Sequence, residues 1–351
     1  MIKVFYFYCN IDKYYSSTPI TNNIRILFEN KLNNIELTPF IEFIDDLDNK
    51  KMLTNISKNL MDSYLLEAIE KILILLPDIV EKYEKIIFLG FHPKPFNPIQ
   101  KYYDEIKKYK NVFTYLWQDD LQAYFKTKDR IKKLDYVDKI LTPSPVYFKN
   151  VAPNLLSKTS FLFYSMNFDF IKDLNKPFDQ KENKIILSGC INKGYKIRKR
   201  VYNEIKKNKK FASICDHIPK PFKKEYNYKN NENLPFGYNY YKILDNYKGA
   251  FFGYYEYPMN FNLAKIIEIL SVGTIGFFEE SPLLKEELQL EPYVHYVPCT
   301  KDGELITKTR YYKYFFENSI GEQIAKNGRD HILNKFSNEN QIQNFIRIFN
   351  S

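Results

Sequence analysis

The sequence predicts an α/β protein made of two doubly wound domains, and three observations predict it. Short apolar, β-branched runs recur along the chain and stop at glycine, as in Lys85-Ile-Ile-Phe-Leu-Gly90 and Lys184-Ile-Ile-Leu-Ser-Gly189. Stretches of helical period separate these runs, the spacing expected of parallel strands covered on both faces by helices. The alternation breaks once, between about 161 and 183, and then restarts. The expected boundaries are therefore 1–172 and 173–351, with the two domains facing a central cleft and the final helix packing back on the first.

Taken in order, Ile2–Tyr8 reads as a first strand, 21–32 as helix or loop, and Ile35–Phe43 as an extended segment. Leu60–Tyr83 has helical periodicity interrupted at Pro77. Lys85–Gly90, Val112–Trp117 and Asp138–Thr142 read as strands, with a helix over Pro98–Tyr109. Phe161–Asp169, followed by Asn175-Lys-Pro177, reads as the crossover between domains. In the second half, Lys184–Gly189 and Gly249–Gly253 are strands. The polar stretch Lys220–Gly237 is a long loop or lid. Ala264–Gly273 is a helix that runs into the apolar strand Ile275–Phe278.

Composition narrows the partners. The chain has 351 residues with 52 basic and 42 acidic side chains, a net charge of +10 that favours anionic partners. Nucleotide diphosphates, acidic membranes and nucleic acids all fit that charge. No arginine-rich tract or nucleic-acid motif accompanies it, so nucleic acid is not expected. Cys9, Cys190, Cys215 and Cys299 lie far apart and give neither a zinc site nor a disulfide framework. That usage suits a reducing, cytoplasmic compartment. The four histidines, His92, His217, His295 and His331, lack metal-ligand spacing. The first residues do not read as a signal peptide, and no apolar run approaches the ~20 residues that span a bilayer, so membrane contact is at most peripheral.

The segment richest in chemistry is Ala264–Gly273. Lys265 and Glu268 lie three apart on one helix face, so a cation and a carboxylate are neighbours. The start of such a helix, just after a strand, is an anion site, because its backbone N–H groups are unpaired. A phosphate there, with a carboxylate one turn on for a ribose hydroxyl, makes a nucleotide-sugar site. An ordinary amphipathic helix carries the same pattern. In the first half, His92 and Asp119-Asp120 each follow a strand end and face the presumed cleft, where a general base would stand.

The second half also carries an ordered set of motifs. Lys184–Gly189 is followed by Lys193 and Arg198, then by an aromatic segment and a strand, then by the basic-x-x-Glu helix of Lys265 and Glu268. Ile324-Ala-Lys-Asn-Gly-Arg329 follows, with Phe336-Ser337 beyond. Residues 185–348 thereby resemble the C-terminal half of GT-B glycosyltransferases, in particular the spore-maturation-protein-like branch of the group 1 transferases. The resemblance implies two Rossmann-like domains and metal-independent transfer of a sugar from a nucleotide-sugar donor to a hydroxyl of a glycan, lipid or protein. It implies no cofactor beyond the donor itself. It places Gly189, Lys193, Arg198 and Lys265 near the donor diphosphate and Glu268 on the ribose. Trp117-Gln-Asp-Asp120 resembles the Trp-x-x-Asp of the same family.

One position departs from that pattern. Many retaining members have a second Glu eight residues before the ribose-binding one, and here that position is Asn260. Asn260 and Asn262 are left to cap the helix and contact phosphate or sugar. The departure leaves stereochemistry open, and it keeps in play a non-catalytic nucleotide- or glycan-binding module of the same fold. Asp46-Leu-Asp48 spells the D-x-D of metal-dependent transferases of another fold, but the order of the second-half motifs argues against that use.

Overall fold

The computed structural model describes residues 1–7, 26–27, 32–43, 58–91, 99–117, 133–166, 171–189, 191, 195–219, 237–253, 264–299 and 309–351. These fall into two compact units. The first takes the described residues up to Phe163 together with Gln341–Ser351, and the second those from Tyr164 to Asn340.

The first unit is a six-stranded, wholly parallel sheet. Its strands are β1 (Ile2–Phe7), β2 (Ile35–Pro39), β3 (Lys85–Phe91), β4 (Val112–Trp117), β5 (Lys139–Thr142) and β6 (Thr159–Phe161). They lie in the order β2-β1-β3-β4-β5-β6. In β3, Ile86, Ile87, Phe88 and Leu89 are all fully buried, which is why this strand is a continuous apolar run rather than an alternating one. Helix α1 (Lys58–Val80) connects the β2 side to β3, and α2 (Pro145–Val151) begins with its proline in the first turn, where the missing N–H costs nothing.

Four local expectations need correction. The helix α1 runs through Pro77 instead of being interrupted there, because the proline falls in its last turn, where only one ladder bond is forgone. The segment 35–43 is extended only to Pro39, after which Phe40–Phe43 turns into a 3-10 helix. The segment 98–109 is helical only in short pieces, at 99–101 and Tyr103–Ile106, because Tyr102 leaves helical geometry at ψ 16°. Finally, Phe161 does not open the crossover: it ends β6, paired with Thr142 of β5.

The second unit is a five-stranded parallel sheet. It comprises β7 (Glu182–Gly189), β8 (Cys215–Pro219), β9 (Tyr247–Phe252), β10 (Ile275–Glu279) and β11 (Val297–Cys299), in the order β11-β10-β9-β7-β8. The chain leaves β7 for β8 on one side and returns to β9 on the other. The C-terminal ends of β7 and β9 therefore flank a topological switch point, where open α/β sheets leave a crevice. Helices α3 (Lys196–Lys207), α4 (Gly237–Asn246), α5 (Ala264–Ser271), α6 (Thr309–Glu317) and α7 (Ser319–Lys335) are the longer helices of this unit among the described residues. The core gathers Ile185 and Leu187 of β7, Phe251 of β9, Ile275 and Phe277 of β10 and Phe315 of α6.

The last helix, α8 (Asn338–Asn350), sets Phe345, Ile348 and Phe349 into the core of the first unit, with Phe345 5.6 Å from Trp117. Gln341 donates to the Phe163 carbonyl at 2.7 Å and Asn344 to that of Phe161 at 3.1 Å, which fixes the helix across the β6 edge. Among the described residues Cys215 and Cys299 are free and buried, and no helix is long and apolar enough to cross a membrane.

Helix α5 is held at its C-terminus with unusual completeness. Gly273, at φ 64°, takes the left-handed conformation that ends helices, and its N–H donates to the Leu270 carbonyl at 3.0 Å. Arg329 of α7 donates from Nε to the Ser271 carbonyl, and Lys181 donates from Nζ to the Val272 carbonyl, each at 3.0 Å. Both cations sit where the helix dipole is negative. The preceding Gly328 explains the Asn-Gly-Arg motif: a Cβ there would lie 2.6 Å from the His295 carbonyl oxygen, so only glycine lets α7 come this near.

Lys181 is itself compensated by Asp245. The ammonium pairs with the carboxylate at 2.7 Å, and the Lys176 N–H donates to the same carboxylate at 3.1 Å. Burial lowers the pKa of Lys181, and Asp245 works against that shift. Removing one member of such a pair strands a buried charge, so Asp245→Ala is expected to cost the second unit about 3–5 kcal/mol in urea unfolding. A loss below about 1 kcal/mol, the scale of an exposed pair, would contradict this role.

Candidate functional site

The switch point gathers side chains from four elements of the second unit. Strand β7 ends in Ser188 and Gly189, and its register places Leu187 opposite Phe251 of β9. Just beyond β9, the Gly253 carbonyl accepts from Arg198 Nε of α3 at 2.9 Å. The Arg198 guanidinium lies over the Tyr195 ring at 4.0 Å and the Phe252 ring at 5.2 Å, and only 3% of the residue is exposed. Arg198 thus ties the start of α3 to the end of β9 within the crevice.

Tyr240 of α4 was not legible as a site residue, nor was Ser188. The two hydroxyls are 2.8 Å apart and buried. The Tyr240 oxygen also accepts from Lys265 Nζ at 3.1 Å, and the same ammonium stands over the Tyr240 ring at 4.2 Å. The one signal for Ser188 was its place beside Gly189. Nothing in the run Tyr238-Asn-Tyr-Tyr241 distinguishes Tyr240 from its neighbours.

Glu268 is not on the solvated face of an amphipathic helix. It is 8% exposed, between Ile267 and Ile269 at 1% each. Among the described residues its carboxylate has no hydrogen-bond partner, and none of the described ion pairs joins it to Lys265. Burial raises its pKa, with the Lys265 charge opposing. For Lys265 burial opposes the charged form, but Tyr240 and Glu268 outweigh it and the pKa is raised, so the ammonium keeps its proton at neutral pH. The site therefore presents a fixed cation and, one turn on, a buried carboxyl group without a hydrogen-bond partner among the described residues.

Of the residues singled out from sequence, Gly189, Arg198, Lys265 and Glu268 thus lie at the end of the second sheet where β7 and β9 finish. His92, Asp119, Asp120, Lys193, Asn260, Asn262 and the Asp46/Asp48 pair lie outside the described residues.

No protein-family model matches this sequence, and no curated protein sequence matches it either. Solved structures do. The chain is similar over 100% of its length to sucrose-phosphate synthase from Thermosynechococcus elongatus, with a TM-score of 0.56, 11% identity and 98% of that chain covered. It is similar over 100% of its length to an α-glucosyltransferase in complex with UDP-glucose and DNA containing an abasic site, with a TM-score of 0.59, 10% identity and 99% of that chain covered. Anabaena HepE in complex with UDP and glucose gives a TM-score of 0.61 at 9% identity, over 99% of each chain. At these identities the likeness concerns the fold: each unit is a parallel α/β sheet with helices, as in the GT-B fold that the sequence predicts.

The raised pKa of Glu268 has a consequence for stability. The folded state holds the proton to higher pH than the unfolded chain, so Glu268 contributes no penalty below its ordinary pKa and its full penalty once pH exceeds the folded one. Glu268→Gln cannot ionise and is expected to gain stability relative to the wild type as pH rises from about 4 to about 8. Urea unfolding across that range tests it. A difference between the two proteins that stays flat, or runs the other way, would contradict the burial of this carboxyl.

Proposed function

We propose that the chain is a glycosyltransferase that moves a sugar from a nucleotide-sugar donor to a hydroxyl of a glycan, lipid or protein acceptor, without a metal ion. The observation that carries this reading is Glu268: a buried carboxylate with no hydrogen-bond partner among the described residues, one turn from a held ammonium, at a switch point. A nucleoside diphosphate satisfies both groups, with ribose hydroxyls donating to Glu268 and phosphate oxygens meeting Lys265. Glycosyl neighbours in complex with UDP or UDP-glucose make a uridine nucleotide the first donor to test. The order of the motifs from Lys184 to Phe336 supports the spore-maturation-protein-like branch as the finer assignment. Free cysteines at 215 and 299 suit a cytoplasmic setting, in the host for a virus-encoded chain.

In this reading the second unit stabilises the departing diphosphate. Lys265 supplies positive charge as the glycosidic bond breaks, with Gly189, Lys193 and the residues before α5, Asn260 and Asn262, completing the cradle. The acceptor hydroxyl must lose its proton as it attacks, and His92 serves as that base, with Asp119 the other candidate. Arg198, already bonded to Gly253, shapes the crevice and adds to its positive potential. The substitution of Asn260 for a carboxylate supports a second reading, a binding module that holds the donor without turnover. The DNA complex of one structural neighbour makes an oligonucleotide the control acceptor, with no transfer to it expected.

Calorimetry and a donor-turnover assay test the reading together. UDP is expected to bind the wild-type chain, and Glu268→Ala to weaken it by about 1.5–3 kcal/mol through the lost charged hydrogen bonds. His92→Ala is expected to cut turnover by ~10²–10⁴-fold with donor binding retained. Turnover is expected to survive EDTA in full. Absence of binding to any nucleotide or nucleotide sugar would sink the proposal, and tight binding with neither transfer nor donor hydrolysis would favour the binding module.

A further inference from the structure

Lys265 and Glu268 stand three residues apart on one buried helix, where opposite charges ordinarily close into a pair. They do not pair. The Lys265 ammonium is instead drawn to α4, where the Tyr240 oxygen accepts from it at 3.1 Å and the Tyr240 ring lies 4.2 Å beneath it. Tyr240 in turn is fixed by the 2.8 Å contact with Ser188 Oγ at the end of β7. Either hydroxyl can donate in that contact, because the phenolic oxygen keeps a second lone pair beside the one that meets lysine. A chain of three groups, from β7 through α4 to α5, thus decides where the ammonium points.

We propose that Tyr240 is a positioning residue: its hydroxyl, anchored on Ser188, holds the Lys265 ammonium off the Glu268 carboxylate, so that both charges stay open for a nucleoside diphosphate. This deepens the donor-site reading above and rests on it. Without the hydroxyl, the ammonium loses its one hydrogen bond among the described residues and swings to the Glu268 carboxylate, one turn on along the same helix. The collapsed pair neutralises the cation that the diphosphate needs and covers the carboxylate that the ribose needs. Among the described residues, those facing Lys265 and Glu268 that bear charge or titrate are Tyr240 and Tyr241 of α4 and Arg198 of α3. Tyr241 is fully buried, and its phenol is held neutral by burial and by Glu268. Arg198 opposes the charge on Lys265 and so cannot replace Tyr240 as its anchor.

The test is a double-mutant cycle read by UDP calorimetry, together with carboxyl NMR of Glu268 across pH. Tyr240→Phe keeps the ring and removes only the hydroxyl, and is expected to weaken UDP binding about tenfold. In a Lys265→Met background the same change is expected to cost less than about twofold, because there is no ammonium left to place. Glu268 is expected to titrate at lower pH in Tyr240→Phe than in the wild type, because Lys265 has closed on it. Ser188→Ala, which leaves Tyr240 intact but unanchored, is expected to move both readouts the same way, and it decides the matter if Tyr240→Phe does not fold. An equal loss in both backgrounds, or an unshifted Glu268 titration, would overturn the positioning role. A wild-type chain that binds no nucleoside diphosphate refutes the donor site instead, and the Glu268 titration then decides the role of Tyr240 on its own.

Discussion

The second unit depends on the holding of one short helix by its C-terminal end. Helix α5 has eight residues, too few to be stable alone in water, and six of them are buried. Its last carbonyls would be orphaned in that interior, yet Arg329 and Lys181 reach them from α7 and from the strand-side segment, and Gly273 closes the turn. The two cations bring their own desolvation cost, which Asp245 offsets for Lys181. With that end fixed, the helix can carry Glu268 into the interior without rotating it out to water. The carboxylate is costly there for the free protein, and that cost is what makes a hydroxyl-bearing ligand welcome.

The same logic relates the fold to the chemistry. A parallel sheet leaves its crevice where the chain reverses its direction of travel across the strands, here at the ends of β7 and β9. The described elements that border the crevice each contribute polar groups: Ser188 from β7, the Gly253 carbonyl beyond β9, Arg198 from α3, Tyr240 from α4, and both Lys265 and Glu268 from α5. Apolar packing behind them, from Leu187, Phe251 and Phe277, keeps these groups from relaxing. The sheet thus supplies position, and the helices supply charge.

What could be read from the sequence follows the range of each interaction. Strands β3, β4, β7 and β10 are buried on both faces, so their apolar runs stand out, and the α/β class follows from them. Strand β6 has three residues, all only partly buried, and Thr159-Ser-Phe161 offers no run to detect. The helix of Lys265 and Glu268 was legible because its spacing is local. Its supports were not: Arg329 reaches Ser271 across 58 residues, and Ser188 meets Tyr240 across 52. Such contacts leave no periodic trace, although Gly328-Arg329 stood out as a motif before the structure gave it a reason. Glu268 was expected beside Lys265, but that Tyr240 would hold the two apart depends on where α4 crosses α5, which no local pattern encodes.

The central claim is that the crevice at the ends of β7 and β9 is a nucleotide-diphosphate site built on an anchored α5. Hydrogen–deuterium exchange with and without saturating UDP tests it most directly, because it locates the ligand without presuming which residue matters most. The account predicts added protection in the peptides that carry Ser188–Gly189, Tyr240 and Lys265–Glu268, with the sheet of the first unit unchanged. Protection confined to other segments, or none at a UDP concentration shown to bind, would contradict it.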